Sequence, residues 1–234
     1  KPTIPFLLHN QILLIGEGDL SFARSLVESH GCEHVTATVF EPREELETKY
    51  PHVKDNIEAI EAAGSTVRYG VDASKPGPLW RDVRGKMDRV LFNFPHVGGR
   101  STDVNRQVRY NQELLVAFFK NAQEALAPRG SIIVTLFEGV PYTLWNIRDL
   151  GRHSGLQVER SFKFQAKAYP GYRHARTLGV IRGRDGKDGG GWRGEERDSR
   201  SYVFVRRGDV IESLNGPSDK RKRRDSSDSE EEFS

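Results

Sequence analysis

Four residues, Gly16-Glu17-Gly18-Asp19, stand between the apolar run Ile12–Ile15 and a helical pattern that starts near Ser21. A glycine-rich turn between strand and helix lets a ligand come close to the backbone, and the helix start offers free N–H donors. The spacing is G-x-G, without the third glycine that packs helix against strand in dinucleotide-binding turns. Two carboxylates in such a turn repel a pyrophosphate and suit a cationic amino-acid moiety. These features favour S-adenosylmethionine, with its sulfonium and α-amino group, over a nicotinamide dinucleotide; a plain tight turn is the bland alternative. Glu41, ending the second apolar run, is placed to accept hydrogen bonds from ribose hydroxyls, and Asp72, after the third, to receive the amino group of adenine. Taken singly, these are equally a solvated strand-end glutamate and a helix N-cap. Taken together, they fall in order at the carboxyl ends of consecutive strands, where open α/β sheets bind ligands.

A second constellation follows the fourth apolar run, in Asn93-Phe94-Pro95-His96-Val97-Gly98. It resembles the Asn/Asp-Pro-Pro-aromatic loop of nitrogen-directed methyltransferases, with Phe94 replacing the first proline and His96 the terminal aromatic. In that loop the amide and the next carbonyl hold the target nitrogen in line with the methyl donor. A ring imide must lose a proton to become nucleophilic, and His96 is the one side chain here that titrates near neutrality, which suits it as base or stacking group. Arg100, Arg106 and Arg109 come next, with Tyr110. Further on, Tyr169-Pro170-Gly171-Tyr172-Arg173-His174-Ala175-Arg176 interleaves rings with cations, a pattern that offers RNA stacking faces and phosphate forks. His30, Cys32 and His34 lie on a helix-to-strand turn away from the crevice and read as structural, so no metal is expected.

The elements that must position these residues alternate. Apolar runs at 11–15, 34–40, 66–70, 87–92, 131–137, 157–164 and 202–206 predict seven strands. Helical spacing from 21 to about 31 and over 54–63, 105–126 and 142–153 supplies the crossovers of a parallel sheet. The Gly/Arg/Asp-rich stretch 182–200 has almost nothing to bury and reads as a flexible insert. One domain therefore spans residues 1–210, and 211–234 form a disordered tail in which Lys220–Arg224 precedes Asp225-Ser226-Ser227-Asp228-Ser229 and three glutamates. The basic block has the form of a nuclear localisation patch. Among 234 residues, 36 Lys+Arg against 33 Asp+Glu leave a charge of +3, informative only through its distribution. With glycine included, the apolar share is about 46%, in the range of folded globular proteins. No run reaches the ~18 apolar residues of a membrane span, and the single Cys32 excludes an internal disulfide. A start at Lys1 and one methionine, Met87, fit a fragment without its native start.

Four motifs in order, GEGDLSF, NFPHVG, the Val134–Trp145 stretch with its PYTLW, and YPGYRHARTLG, resemble the ribosomal RNA uridine-N3 methyltransferase family over roughly Ile12 to Val205. The resemblance implies an α/β, Rossmann-like class I methyltransferase domain. Its seven-stranded sheet would be mostly parallel with an antiparallel final strand. It further implies S-adenosylmethionine as cofactor, large-subunit rRNA in a pre-ribosomal particle as substrate, and a nucleolar workplace within the nucleus. A monomer is expected. By the same resemblance Gly16, Glu17, Gly18 and Asp19 belong to the cofactor loop, and Asn93, Phe94, Pro95 and His96 to the target-base loop. Tyr169, Tyr172, Arg173, His174 and Arg176, with Arg100 and Arg106, are the candidate RNA contacts. A non-catalytic RNA-binding assembly factor that retains the fold is the competing reading.

Overall fold

The computed structural model describes residues 1–99, 101–175 and 194–210. Arg100, Arg176, most of the insert and the tail from 211 lie outside the described residues. Seven strands form one sheet: β1 Gln11–Ile15, β2 His34–Thr38, β3 Thr66–Arg68, β4 Met87–Asn93, β5 Leu126–Phe137, β6 Leu156–Lys163 and β7 Ser199–Arg206. Their order is β3-β2-β1-β4-β5-β7-β6. The pairs β1–β2, β1–β4, β2–β3 and β4–β5 are parallel, and β7 runs antiparallel to both β5 and β6. This is the expected Rossmann-like α/β sheet, mostly parallel with an antiparallel final strand.

Alternation along the central strands divides the core in two. Ile12, Leu14, Leu91 and Ile133 face one layer, whereas Leu13, Ile15, Val90, Phe92, Ile132 and Val134 face the other. Strands buried on both faces read as unbroken apolar runs, which is why the sequence shows runs rather than alternation. The first layer is covered by α1 Ser21–Ser29, through Phe22, Ala23, Leu26 and Val27, and by α3 Val53–Ala62, through Val53, Ile57 and Ile60. The second is covered mainly by α5 Val104–Ala125, whose Leu115, Phe118, Phe119, Ala122 and Ala125 recur at three and four. Asp103 caps α5, its side chain accepting from the Arg106 N–H at 2.9 Å.

Some boundaries move. Two short helices, α2 Arg43–Lys49 and α4 Pro78–Asp82, have too few apolar positions to show periodicity. The helix expected over 142–153 is a 3₁₀ turn, Tyr142–Trp145, followed by α6 Ile147–His153. Asn146 separates them at φ +51°, a left-handed conformation that Asn tolerates better than most residues. Of the insert expected over 182–200, only 194–200 are among the described residues, and these are ordered. Residues 194–196 form a 3₁₀ turn and β7 begins at Ser199, because Phe137 pairs with Ser199 and Arg200 meets Glu138 at 2.8 Å. No helix among the described residues is long and apolar enough to cross a membrane.

β1 has β2 on one side and β4 on the other, so successive crossovers leave it in opposite directions. The crevice at its carboxyl end is the switch point of the sheet.

Candidate active site

A cleft of about 1180 Å³ opens at this switch point. Its lining includes Gly16, Glu17, Gly18, Asp19, Glu41, Asp72, Asn93, Phe94, His96, Tyr172, Arg173 and His174. All six predicted cofactor residues and all three predicted catalytic residues therefore share one cleft with part of the late motif.

The cofactor loop is held tightly. Gly16 sits at φ +65°, and a Cβ there would come within 2.5 Å of the Phe92 ring. A Cβ on Gly18 would meet the Ala175 Cβ at 2.6 Å. Both glycines are thus required by close approach, and Gly18 makes room for the late segment that lies over it. Glu17, 9% exposed, accepts from the Ala23 N–H in the first turn of α1 at 3.2 Å. Burial pushes its carboxyl up to about 8, outweighing the Ala23 bond and aided by the charge of Asp19. At neutral pH it is mostly protonated, a helix-start acceptor rather than an anion. Asp19 accepts from the Ser21 N–H at 3.0 Å, meets His52 Nε2 at 3.1 Å, and its carbonyl accepts from Asn56 Nδ2 at 2.7 Å. The bond to Asp19 raises the His52 imidazole above its ordinary value, against partial burial. Of the two loop acids, Asp19 is therefore the one able to hold a cation.

Glu41 is paired with Lys49, a cleft residue that sequence reasoning missed. Asp72 accepts from both the N–H and the hydroxyl of Ser74, at 2.9 and 2.6 Å, and faces Lys75 at 3.2 Å. Partial burial raises its carboxyl, but the Ser74 and Lys75 bonds prevail and hold it below the usual range.

Asn93 ends β4. Its Oδ1 accepts from the Thr135 hydroxyl at 2.8 Å, and its Nδ2 is buried with no hydrogen-bond partner among the described residues. Phe94 adopts φ +53°, a strained conformation for an aromatic residue, and its N–H donates to the Thr135 carbonyl at 2.8 Å. That turn brings its ring to 4.5 Å from Phe137 and 4.6 Å from His174. His96 lies exposed at the rim with its ring 6.1 Å from Trp145, and its Nδ1 accepts from the Gly98 N–H at 2.9 Å. Desolvation of the inward part of the ring lowers its imidazole from the ordinary value, which favours the neutral form.

The late motif divides. Tyr172 and His174 enter the cleft, the Tyr172 hydroxyl 3.1 Å from His174 Nδ1. Desolvation pushes the His174 imidazole down to about 4 and the Tyr172 phenol well above its usual range. The Arg173 backbone is held at both ends by the Ser21 hydroxyl, which accepts from its N–H at 3.0 Å, while its side chain is exposed. Tyr169, predicted to touch RNA, belongs to the core instead. It is 4% exposed, its ring 4.7 Å from Phe22 and stacked on Phe164 at 5.4 Å. In sequence a tyrosine beside cations looks the same whether it faces solvent or packs under the loop. Arg106 is exposed on the first turn of α5, outside the cleft lining. His30 Nε2 lies 2.9 Å from the Ala168 carbonyl, the structural role expected of it. Phe40, Tyr110, Phe137 and Tyr142 also line the cleft and were missed. Of these, Phe137 and Tyr142 lay in the singled-out Val134–Trp145 stretch and Tyr110 beside the arginines named after the target loop, but none was given a role; Phe40 carried no signal.

The family model described as BMT5-like, rRNA (uridine-N3-)-methyltransferase BTM5-like, matches residues 13–176. The chain is 33% identical over 180 residues to an uncharacterized protein of Arabidopsis thaliana, a match covering 75% of this chain and 86% of that one. It is 28% identical over 255 residues to the 25S rRNA (uridine(2634)-N(3))-methyltransferase of Saccharomyces cerevisiae, covering 86% and 74% respectively. A mouse ferredoxin-fold anticodon-binding domain-containing protein 1 homologue is 32% identical over 179 residues, 71% of this chain but 28% of its own length.

Proposed function

The chain belongs to the BMT5-like rRNA (uridine-N3-)-methyltransferase family, and from that premise we propose that it transfers a methyl group from S-adenosylmethionine to N3 of a uridine in large-subunit rRNA. The observation that carries this reading is that Gly16–Asp19 and Asn93–His96 wall the same cleft, at the ends of adjacent strands. At about 1180 Å³ it exceeds the usual small-ligand pocket of ~300–1,000 Å³ and has room for a cofactor and an inserted nucleotide.

When bound, S-adenosylmethionine supplies a methyl group activated by a sulfonium. Asp19 would hold its ammonium, displacing the half-exposed His52. Glu41, parted from Lys49, would accept from the ribose hydroxyls. Asp72 would receive the adenine amino group on the oxygen that now faces the exposed Lys75. Glu17 is given a different part from the one its position suggests, that of shaping the start of α1. On the target side, Phe94, Phe137 and His174 form an aromatic wall for a base turned out of its stack, and Arg173 lies beside it for the RNA backbone. Arg106, farther out, would touch neighbouring phosphates. The yeast relative's 25S rRNA substrate supports work on pre-ribosomal RNA, which we place in the nucleolus, by a monomer; the Lys220–Arg224 block that would carry it to the nucleus lies outside the described residues.

The direct test incubates the chain with labelled S-adenosylmethionine and in-vitro-transcribed large-subunit rRNA, which carries no modification, and digests the RNA for nucleoside mass spectrometry. Label in 3-methyluridine is expected. Intact calorimetric binding of the cofactor with no label in RNA would overturn the activity and favour the non-catalytic assembly factor.

A further inference from the structure

Three side chains stand in line across the sheet at directly paired positions: Asn93 on β4, Thr135 on β5 and Ser201 on β7. Thr135 and Ser201 are 1% and 2% exposed, so their hydroxyls must find partners inside the protein. The Asn93 carbonyl oxygen can only accept, so Thr135 donates its one hydroxyl hydrogen there, at 2.8 Å. Thr135 must then accept from Ser201, at 2.9 Å. In this orientation the amide has its oxygen engaged and its NH₂ without a partner among the described residues. The arrangement is the reverse of what an amine-directed loop requires, where the amide oxygen must be free to accept from the target.

His96 is fixed by a similar argument. The Gly98 N–H can only donate, so Nδ1 carries a lone pair and the proton of the neutral ring sits on Nε2. That places a donor, not an acceptor, on the remaining nitrogen, and no other hydrogen bond among the described residues engages it.

We propose that the target loop is a two-donor clamp, Asn93 Nδ2–H and His96 Nε2–H, which reads a ring nitrogen flanked by two carbonyl oxygens and holds the charge of its anion. The proposal rests on the methyltransferase reading above and goes beyond it in naming the recognised edge and reversing the role of His96. A uracil imide presents oxygen, nitrogen and oxygen in sequence; cytosine and adenine present an amino group beside the ring nitrogen and would set donor against donor. The N3–H proton leaves to bulk water and its bonding pair stays on the imidate, whose charge spreads onto O2 and O4. N3 then takes the methyl group, while the departing sulfur keeps the electron pair of the broken C–S bond. Donors aimed at developing negative charge, in the manner of an oxyanion hole, take the place of a strong base. The lowered His96 imidazole agrees with a ring that stays neutral while it donates.

Two sets of measurements test the clamp. In methyl transfer to the in-vitro-transcribed rRNA, Asn93→Asp keeps shape but replaces the donor by an acceptor, and the rate should fall roughly 100-fold, the cost of one such donor. Thr135→Val should lower kcat with cofactor affinity little changed, together with a fall in melting temperature from the unpaired Asn93 oxygen and Ser201 hydroxyl, and Thr135→Ser should restore both. His96→Gln, which can still donate, should retain more activity than His96→Ala. Near-normal transfer by Asn93→Asp, or equal inactivity of the two His96 variants, would overturn the proposal. Independently of activity, ¹⁵N-histidine spectra at pH 7 should show His96 as the Nε2–H tautomer; an Nδ1–H tautomer or an imidazolium would also overturn it. If the wild-type protein binds cofactor but transfers nothing, the methyltransferase reading fails, and the spectra still decide the state of His96.

Discussion

On the β1–β2 side of the cleft, Glu17, Asp19 and Glu41 each have a partner within the protein, whereas on the β4–β5 side Asn93 Nδ2 has none among the described residues and His96 commits one ring nitrogen to Gly98. A ligand on the first side must exchange partners, so its net affinity is the difference between two sets of hydrogen bonds. On the second side, a ligand with the right acceptors satisfies a buried donor that otherwise carries its desolvation cost unrelieved. The first wall is therefore suited to affinity with modest discrimination, and the second to discrimination between bases, because a mismatched edge leaves its donors unpaired.

The largest effect tests where the second wall ends. Tyr169→Ala should cost about 3–5 kcal/mol of folding stability, the usual penalty for emptying an aromatic core site, and should leave RNA binding per folded molecule unchanged. Tyr172→Ala should do the reverse, impairing RNA methylation with a smaller loss of stability; equal destabilisation in urea titrations would erase the division. Next, Asp19→Ala should weaken cofactor binding by about 3 kcal/mol, or roughly 100-fold, if it is the anion of the first wall. Glu17→Gln should cost far less affinity in the same calorimetry, and similar losses in the two would remove the distinction between them.

Gly16→Ala comes third. It meets Phe92 and a left-handed backbone together, and should cost about 1–3 kcal/mol in thermal or urea unfolding. The fourth concerns pH. Glu17 binds its proton more tightly in the folded protein than in the unfolded chain, so between pH 4.5 and about 8 the folded state holds a proton that the unfolded state has released. Stability therefore falls as pH rises through that window. Glu17→Gln removes this slope, so its melting temperature should gain on the wild type from pH 5 to pH 8, and a constant gap would contradict the burial argument. Smallest is Arg106→Ala, which should weaken RNA binding by under ~1 kcal/mol and reduce the salt slope by about one.

The same contrast explains what the sequence could reveal. Apolar runs and glycine turns announce themselves, so the strand order of motifs and the grouping of Gly16–Asp19, Glu41, Asp72 and Asn93–His96 in one crevice were legible before any coordinates. Bonding partners were not. Nothing in GEGD distinguishes the acid that caps α1 from the acid that can hold a cation, because the difference lies in burial and in His52, 33 positions away. Lys49 opposite Glu41 was hidden in a helix too short to show periodicity. Tyr169 and Tyr172 are three residues apart in one motif and both pack on Phe22 and Phe164, yet only Tyr172 also lines the cleft, a distinction set by the third dimension alone. The hydroxyl relay was least visible, since Thr135 and Ser201 are small polar residues inside apolar runs.

The position of β7 has a consequence for synthesis. It lies between β5 and β6 although it follows both in the chain. As the polypeptide emerges, β6 has no partner in the sheet and the edge of β5 stands open, a ready template for stray pairing, until residues 199–206 have been made. Ser201 arrives in that same final strand. The nascent protein thus acquires its complete sheet and the last link of the relay behind Asn93 in one event, so a polypeptide halted before that strand would lack both.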